Sequence, residues 1–442
     1  MKKGDYKIDD INLLIVSYLT RSISEEDLVQ LKEWINFSDE NRNHFNEFKN
    51  AWILSGAKNG SSITNAEESW RVFKNNLTPY RTRLVLGFRS QGKTTFIKEW
   101  IAAQPDKKSI NYVNGEDIHN RQILTNPSLP TLHSFVGSYK TIIIDEAQSI
   151  RDIGLTLKRL VDEMPFVKVI ASGSSSFELE RSVAVPLTGR KYTITLYPIA
   201  QMELKDIEPY NKTLSLLDKR LIYGSYPEIL FFPTDTAKKE YLNEMLSSYL
   251  FKDILAYEGL RKADKVLELL RMIAWQIGKE VSLTEVGNSL ELNKATVEKY
   301  LDLLQKVFII YPRSGFSRNL RNEITKCRRW YFHDNGVLNA VISDFRPLEQ
   351  RPDVGALWEN YLLSERQKLH NCNRDFLRYY YWRTYAQQEI DLVEEGNGEI
   401  HGFEIKWKKG SVKPPSAWKN SYPEAGYEVI TKDNYLSWIT GS

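Results

Sequence analysis

The stretch RTRLVLGFRSQGKTTFIKEWIAA, residues 81–103, restricts the fold of this chain more than any other. A short apolar run leads into it and a segment with helical spacing leaves it. Between them, residues 87–95 match G-x-x-x-x-G-K-[ST], a loop whose glycines let backbone N–H groups wrap a phosphate. Lys93 would reach the β- and γ-phosphates of a nucleotide, and the Thr94 hydroxyl would ligate magnesium. The nucleotide-binding expectation covers Gly87, Phe88, Arg89, Ser90, Gln91, Gly92, Lys93, Thr94 and Thr95. Such a loop works between a strand and the helix that follows it, so a parallel sheet covered by crossover helices is expected.

The rest of the chain supplies strands for that sheet. RTRLVLG, SINYVNG, KTIIIDEA, VKVIASG and KYTITLY are apolar runs with helical stretches between most of them. TIIIDEAQ puts two acids at the end of a buried run: Asp145, expected to hold magnesium through water, and Glu146, expected to orient the attacking water. Ser174, in ASGSSS, follows the next run, where a side chain can sense the γ-phosphate. Arg190, in LTGRKYTITLYP, reads either as an arginine finger acting in trans or as a surface ion pair. A finger would imply a homo-oligomer, as a ring or a dimer. The expected chemistry is ATP binding with Mg2+, followed by hydrolysis.

With 442 residues, 42% of them hydrophobic, the chain has material for two to four domains. A net charge of +3 neither demands nor excludes nucleic acid. Two cysteines, Cys327 and Cys372, are too few for a disulfide framework, and no CxxC spacing suggests zinc. INLLIVSYL is too short, and too soon followed by Arg21, to span a bilayer. A cytoplasmic location without membrane association is the expectation.

Residues 1–77 read as a helical module. Ser24 can cap a helix with Glu25, Glu26 and Asp27 in its first turn, and Leu28, Leu31, Trp34 and Ile35 recur on one face. Ser38 can cap another, with Phe45, Phe48 and Trp52 on one face. Physically this is a small bundle that supports or tethers. LLIVSYLTRSISEEDLVQLKEWI and SDENRNHFNEFKNAW also resemble the cytoplasmic N-terminal region of FecR-type anti-sigma factors. That resemblance implies a protein-binding module with a sigma-factor-like partner.

A second resemblance covers nearly everything after Tyr80. GFRSQGKTT, IIIDEAQ, VIASGSSSFEL, LTGRKYTITLYPIA and GSYPE stand in the order seen in a family of prokaryotic AAA-type ATPases with a C-terminal domain of unassigned function. Members generally have Pro where this chain has Phe88.

Two amphipathic helices about a short turn follow, in VSLTEVGNSLELNKATVEKYLDLLQKVFII. Arg313, Arg318, Arg321, Lys326, Arg328 and Arg329 come after them, as in the wing of a winged helix. The second helix can enter a DNA groove, or the unit can serve packing alone.

The chain closes with EIDLVEEGNGEIHGFEIKW, two strand-like arms turning at Gly396, Asn397 and Gly398. Strict alternation puts Glu389 and Asp391 on one face, with Ile390 and Leu392 opposite; Glu404 and Lys406 share a face of the second arm. If the polar faces meet, Asp391, Glu404 and the carbonyl of Ile405 surround a point suited to a hard cation. Glu359 could complete the shell from the preceding helix, and Lys406 would steady an attacking water. The order of helix acid, Asp, hairpin and ExK resembles the RecB-like PD-(D/E)XK nuclease fold. Carried over, Asp391 and Glu404 become Mg2+ or Mn2+ ligands, Lys406 the catalytic lysine and Glu359 the helix acid.

The expected fold is therefore multidomain α/β. Its parts are a helical module (1–77), a parallel-sheet P-loop ATPase core (78–200), a helical extension (201–275), a winged-helix domain (276–345) and an α+β restriction-endonuclease-like domain (346–442). The expected function is an ATPase that engages DNA and cleaves it with a metal. The alternatives are an ATP-switched binding protein whose closing domain does not cut, and a sigma-factor-binding regulator.

Overall fold

Thr141–Asp145 (β3) is buried along its whole length, which demands cover on both faces of its sheet. In the computed structural model β3 lies inside a five-stranded parallel sheet of order β2-β3-β4-β1-β5. Its other strands are Thr82–Leu86 (β1), Ile110–Asn114 (β2), Lys168–Gly173 (β4) and Lys191–Thr195 (β5). The structure describes residues 11, 14–15, 17–18, 23–37, 41, 45, 82–87, 92–173, 191–205, 207–250, 263–317, 327–408 and 413–441. The chain divides into two compact units, Met1–Leu86 with Gly92–Leu196, and Gly87–Gln91 with Tyr197–Ser442.

In the first unit, a front helix spans Glu25–Phe37 (α1). The Ser24 hydroxyl accepts the Asp27 N–H at 3.1 Å, the capping bond expected there. Leu31 of α1 packs with Ile11 and Ile15 in a small apolar cluster joined by Trp34, Ile35 and Phe45. Phe48 and Trp52 lie outside the described residues. The helices Lys93–Ala102 (α2), Ile118–Leu124 (α3), Leu129–Val136 (α4) and Ile153–Glu163 (α5) connect the sheet strands. Ile97 of α2 closes on Val85, Ile143 and Ile170 of β1, β3 and β4. Ile143 is fully buried, so Ile143→Ala would cost about 3 kcal/mol.

In the second unit, helices Leu217–Tyr223 (α6), Ala263–Trp275 (α7), Leu283–Leu290 (α8), Lys294–Lys306 (α9), Asn335–Ile342 (α10), Val354–Asn373 (α11) and Tyr435–Thr440 (α12) surround one mixed sheet. Its strands are Glu280–Val281 (β6), Ile310–Gly315 (β7), Arg328–Phe332 (β8), Arg378–Arg383 (β9), Glu389–Gly396 (β10), Glu399–Ile405 (β11) and Gly426–Ile430 (β12), in the order β12-β11-β10-β9-β7-β8-β6. The segments read from sequence as a winged helix and as a closing domain thus share one sheet. They join where β7 runs parallel to β9, with Ser314 beside Tyr380 and Gly315 beside Tyr381. They also share one apolar core, which runs from Leu217 to Ile439. Asp334 ties the helical part to this core. It caps α10 through the N–H groups of Gly336 and Val337 and accepts the Ser225 N–H at 2.7 Å. Gly224, at φ 74°, leaves no room for a side chain beside the Asp334 carboxylate.

The closing hairpin corrects one expectation. Asn397 and Gly398 both take positive φ (54° and 85°), the two-residue turn whose twist suits flanking strands. Strict alternation fails before the turn. Ile390 pairs with Trp382 but Val393 pairs with Tyr380, so β10 carries one extra residue, a β-bulge. Ile390 and Val393 therefore both pack with Trp382 and Trp418, while Leu392 joins the larger core. Ile390 and Leu392 do not share a face, because the bulge between them reverses the alternation.

Candidate functional site

In the first unit the site is built where β3 ends and α2 begins. Gly92 takes φ 74° immediately before the helix, and Lys93 opens it with only 4% of its surface exposed. Thr94 Oγ1 donates to Asp145 Oδ2 at 2.8 Å. The Tyr112 hydroxyl, from edge strand β2, donates to the same oxygen at 2.8 Å. Ser172, at the end of β4, donates to Asp145 Oδ1, and the Glu146 N–H approaches that oxygen at 3.2 Å. Asp145 is thus buried among hydroxyl and N–H donors. Burial first, and then the bond to Asp145, pushes the Tyr112 phenol above its ordinary value.

Glu146 adopts a left-handed backbone, φ 49°, and its carboxylate accepts from Gln148 Nε2. Gly115 makes room for this turn. A Cβ there would stand 2.5 Å from the Glu146 carbonyl oxygen, and the Gly115 N–H donates to the Asp145 carbonyl at 2.7 Å. Thr94 and Asp145 are the donor set a hard cation and its waters would need. Thr95 follows on the exposed side of α2. Phe88, Arg89, Ser90, Gln91, Ser174 and Arg190 lie outside the described residues, and Gly87 directly follows β1.

In the second unit the bulge sets Asp391 against the other arm of the hairpin. The register that pairs Leu392 with Phe403 brings Asp391 opposite Glu404. Asp391 Oδ2 accepts the Ile405 N–H at 2.8 Å. Glu404 Oε1 pairs with Lys406 Nζ at 2.5 Å, while Glu404 Oε2 is buried with no hydrogen-bond partner among the described residues. Glu359, on α11, accepts the Tyr331 hydroxyl at 2.6 Å. Glu389 accepts from Arg329, whose guanidinium is buried and lies 4.4 Å from the Tyr381 ring centre.

Burial, with Glu359 and Glu404 close by, holds the Asp391 carboxyl well above the usual carboxylate range. Burial also raises Glu359, against the opposing pull of Tyr331 and Arg329. For Lys406, burial works against the charge, but Glu404, Asp391 and Glu389 outweigh it and hold the ammonium above its ordinary value.

The structure therefore brings Asp391, Glu404 and Lys406 into one group. Glu359 lies within electrostatic reach of that group but is engaged by Tyr331. Among the described residues, no group of three or more His, Cys, Asp or Glu side chains is arranged to hold a metal ion. The contact made by Ile405 is through its N–H, on Asp391. The two opposed carboxylates and the orphaned Glu404 oxygen suit a hard cation, while the third carboxylate is taken by a phenol.

The basic residues after the two helices have mixed fates. Arg313 is buried between the rings of Tyr311 and Tyr379, 4.6 and 4.7 Å away, and donates to Gln367. Arg329 serves Glu389, as described above. Both were expected on a phosphate-contacting wing; packing claims them instead. Arg328 is exposed, and Arg318, Arg321 and Lys326 lie outside the described residues. On α9, Lys294 faces Glu298 and Lys306 faces Asp302, so its exposed face carries both signs.

Sequence reading missed Tyr112, Ser172, Gln148 and Tyr331, and assigned Arg329 to a wing rather than to Glu389. Tyr112 had one faint signal, an aromatic in an edge strand directly ahead of the site. Gln148 lies two residues from Glu146 in the same motif, while Ser172 and Tyr331 depend on contacts between distant segments.

Three family models match the chain. Residues 80–205 match one described as AAA domain. Residues 214–348 and 354–439 match two described as domains of unknown function, DUF8612 and DUF4143. An uncharacterized protein of Mycobacterium tuberculosis, Rv2008c, is 28% identical over 328 residues, 73% of this chain and 69% of that protein. The uncharacterized protein MJ1544 of Methanocaldococcus jannaschii is 24% identical over 394 residues, 81% of this chain and 86% of its own length. A solved S. cerevisiae Hsp104–ADP complex matches with a TM-score of 0.26 at 12% identity, covering 58% of this chain and 41% of that one. The AAA domain and the DUF4143 match support an AAA-type P-loop ATPase family. Among the described residues no helix is long and apolar enough to cross a membrane.

Proposed function

We propose that this chain, which carries an AAA domain, binds and hydrolyses ATP at Lys93, Thr94, Asp145 and Glu146, and that turnover gates cleavage of DNA at the Asp391–Glu404 hairpin. The AAA match supports the nucleotide half, together with Asp145 meeting Thr94 at the start of α2. Lys93 would grip the phosphates, and Glu146 would accept the proton of the attacking water. Magnesium, when bound, supplies charge stabilisation to the transferring phosphoryl group.

One observation carries the nuclease half. Beside a bulge in β10, Asp391 stands opposite Glu404, whose second oxygen is buried and has no hydrogen-bond partner among the described residues. A divalent cation held by that pair would stabilise the leaving oxygen of a phosphodiester. Lys406 would orient the incoming water, and Ile405 holds Asp391 in place through its N–H. ATP turnover would reposition this domain, since the two chemistries use separate residues.

A second reading has its own support. Lys406 already neutralises Glu404, and Tyr331 already occupies Glu359, so the hairpin could be a retained binding surface on an ATP-switched protein. Incubation with supercoiled plasmid, Mg2+ or Mn2+, and ATP separates the two. The nuclease reading expects nicking by the wild type and by Lys93→Ala under permissive metal, lost in Asp391→Ala. Absence of cleavage under every condition retires it in favour of the binding reading.

A further inference from the structure

We infer that Tyr112 is a positioning residue of the nucleotide site: its hydroxyl holds the place on Asp145 that a magnesium-bound water takes when nucleotide arrives. An ionised carboxylate offers about four lone-pair positions. In this structure all four have a donor: Thr94 and Tyr112 on Oδ2, Ser172 and the Glu146 N–H on Oδ1. Asp145 is buried, so no lone pair is left facing solvent. It can accept from a further donor only by releasing one of these four.

Three of the four are poorly placed to leave. The Glu146 N–H belongs to a backbone turn packed on Gly115. Ser172 is fully buried. Thr94 is the residue the phosphate-loop pattern assigns to magnesium, and its oxygen can ligate a cation while its hydrogen stays on Asp145. Tyr112 differs from all of them. It stands on β2, which among the described residues pairs with β3 alone, and its side chain is only partly buried, so it has solvent to turn into.

The same hydroxyl therefore has opposite effects in the two states. Without nucleotide it keeps a buried carboxylate satisfied and correctly oriented. With magnesium present it competes for the oxygen the cation's water needs. A hydrogen bond to a charged group is strong enough for its removal to change that competition by roughly tenfold.

The test uses the full chain and Tyr112→Phe, with ADP as the probe. ADP affinity is measured by calorimetry over a range of magnesium concentrations. The magnesium concentration giving half of the maximal affinity gain is expected to fall roughly tenfold in Tyr112→Phe. A value unchanged or raised overturns the inference, since a merely supporting tyrosine would leave it unchanged or weaken the site. A second readout does not depend on the variant's affinity. Magnesium with ADP should produce a tyrosine ultraviolet difference spectrum in the wild type that Tyr112→Phe lacks. Identical difference spectra in both proteins also overturn it.

Discussion

Two buried aspartates, each near the end or bend of a strand, have opposite surroundings. Asp145 closes a parallel strand and is met by four donors from four segments. Asp391 sits at a bulge in an antiparallel hairpin and, among the described residues, is met by one backbone N–H, with two further acids close by. The first carboxylate is organised before any ligand comes. The second stores repulsion that only a proton or a cation relieves, so burying an acid does not by itself say whether a site is ready or waiting. A third acid, Glu394, completes the scale. The Arg366 guanidinium grips both its oxygens, and His370 adds a bond at 3.1 Å. Although burial works against its charge, those partners pull it down to about 2.

The largest effect that sharpens this contrast is Lys93→Ala. ATPase turnover should fall about a thousandfold, while calorimetric Mn2+ binding by the hairpin stays unchanged. A loss of both would mean the two acidic sites are one system. Next comes Glu394→Ala, which strands the Arg366 charge and should cost about 3 kcal/mol in the urea transition of the second unit. A change below about 1 kcal/mol would show that the Arg366 pair contributes little, as exposed pairs do. Asp145→Asn should then cost about 2 kcal/mol without nucleotide, since an amide cannot accept from four donors.

Asp391→Asn should act in the other direction, raising the melting temperature by a few degrees at pH 8. Asp391 and Glu359 are both held above their ordinary values, so the folded state keeps protons that the unfolded chain releases. Their effect is a loss of stability as pH climbs from about 4, the ordinary carboxylate value, towards the raised ones. The gain from Asp391→Asn should accordingly vanish near pH 4. An Asn variant less stable than wild type at pH 8 would break the comparison. The smallest effect is Tyr331→Phe, about 1 kcal/mol by chemical denaturation, from the donor lost to Glu359.

Much of the parallel-sheet unit was legible because its signals are local. A phosphate loop needs its glycines, lysine and threonine in one contiguous run, and an apolar run ending in acid marks the strand beside it. The five strands of the parallel sheet fall where the apolar runs stand. The hairpin turn was equally legible, because Asn397 and Gly398 tolerate positive φ better than other residues. Tyr112 and Ser172 were not, since each reaches Asp145 from another strand.

The closing half shows the limit more sharply. Alternation along residues 389–396 assumed an unbroken pleat, but the pairing of Ile390 with Trp382 and of Val393 with Tyr380 leaves one extra residue, a bulge, beside Asp391. Arg313 and Arg329 look like surface cations in a basic run and prove to be stacked against tyrosines from β7 and β9. Pairing of β7 with β9 merges two segments that read as separate domains into one sheet.

The chain by itself determined where a helix opening at Lys93, an acid-tipped parallel strand and a tight hairpin turn must form, because each follows from the conformational and chemical preferences of neighbouring residues. Tertiary structure alone decided which donors meet Asp145, which acids crowd Asp391 and which arginines are spent on packing. Those outcomes depend on strand register and burial between segments far apart in the chain, which no local pattern encodes.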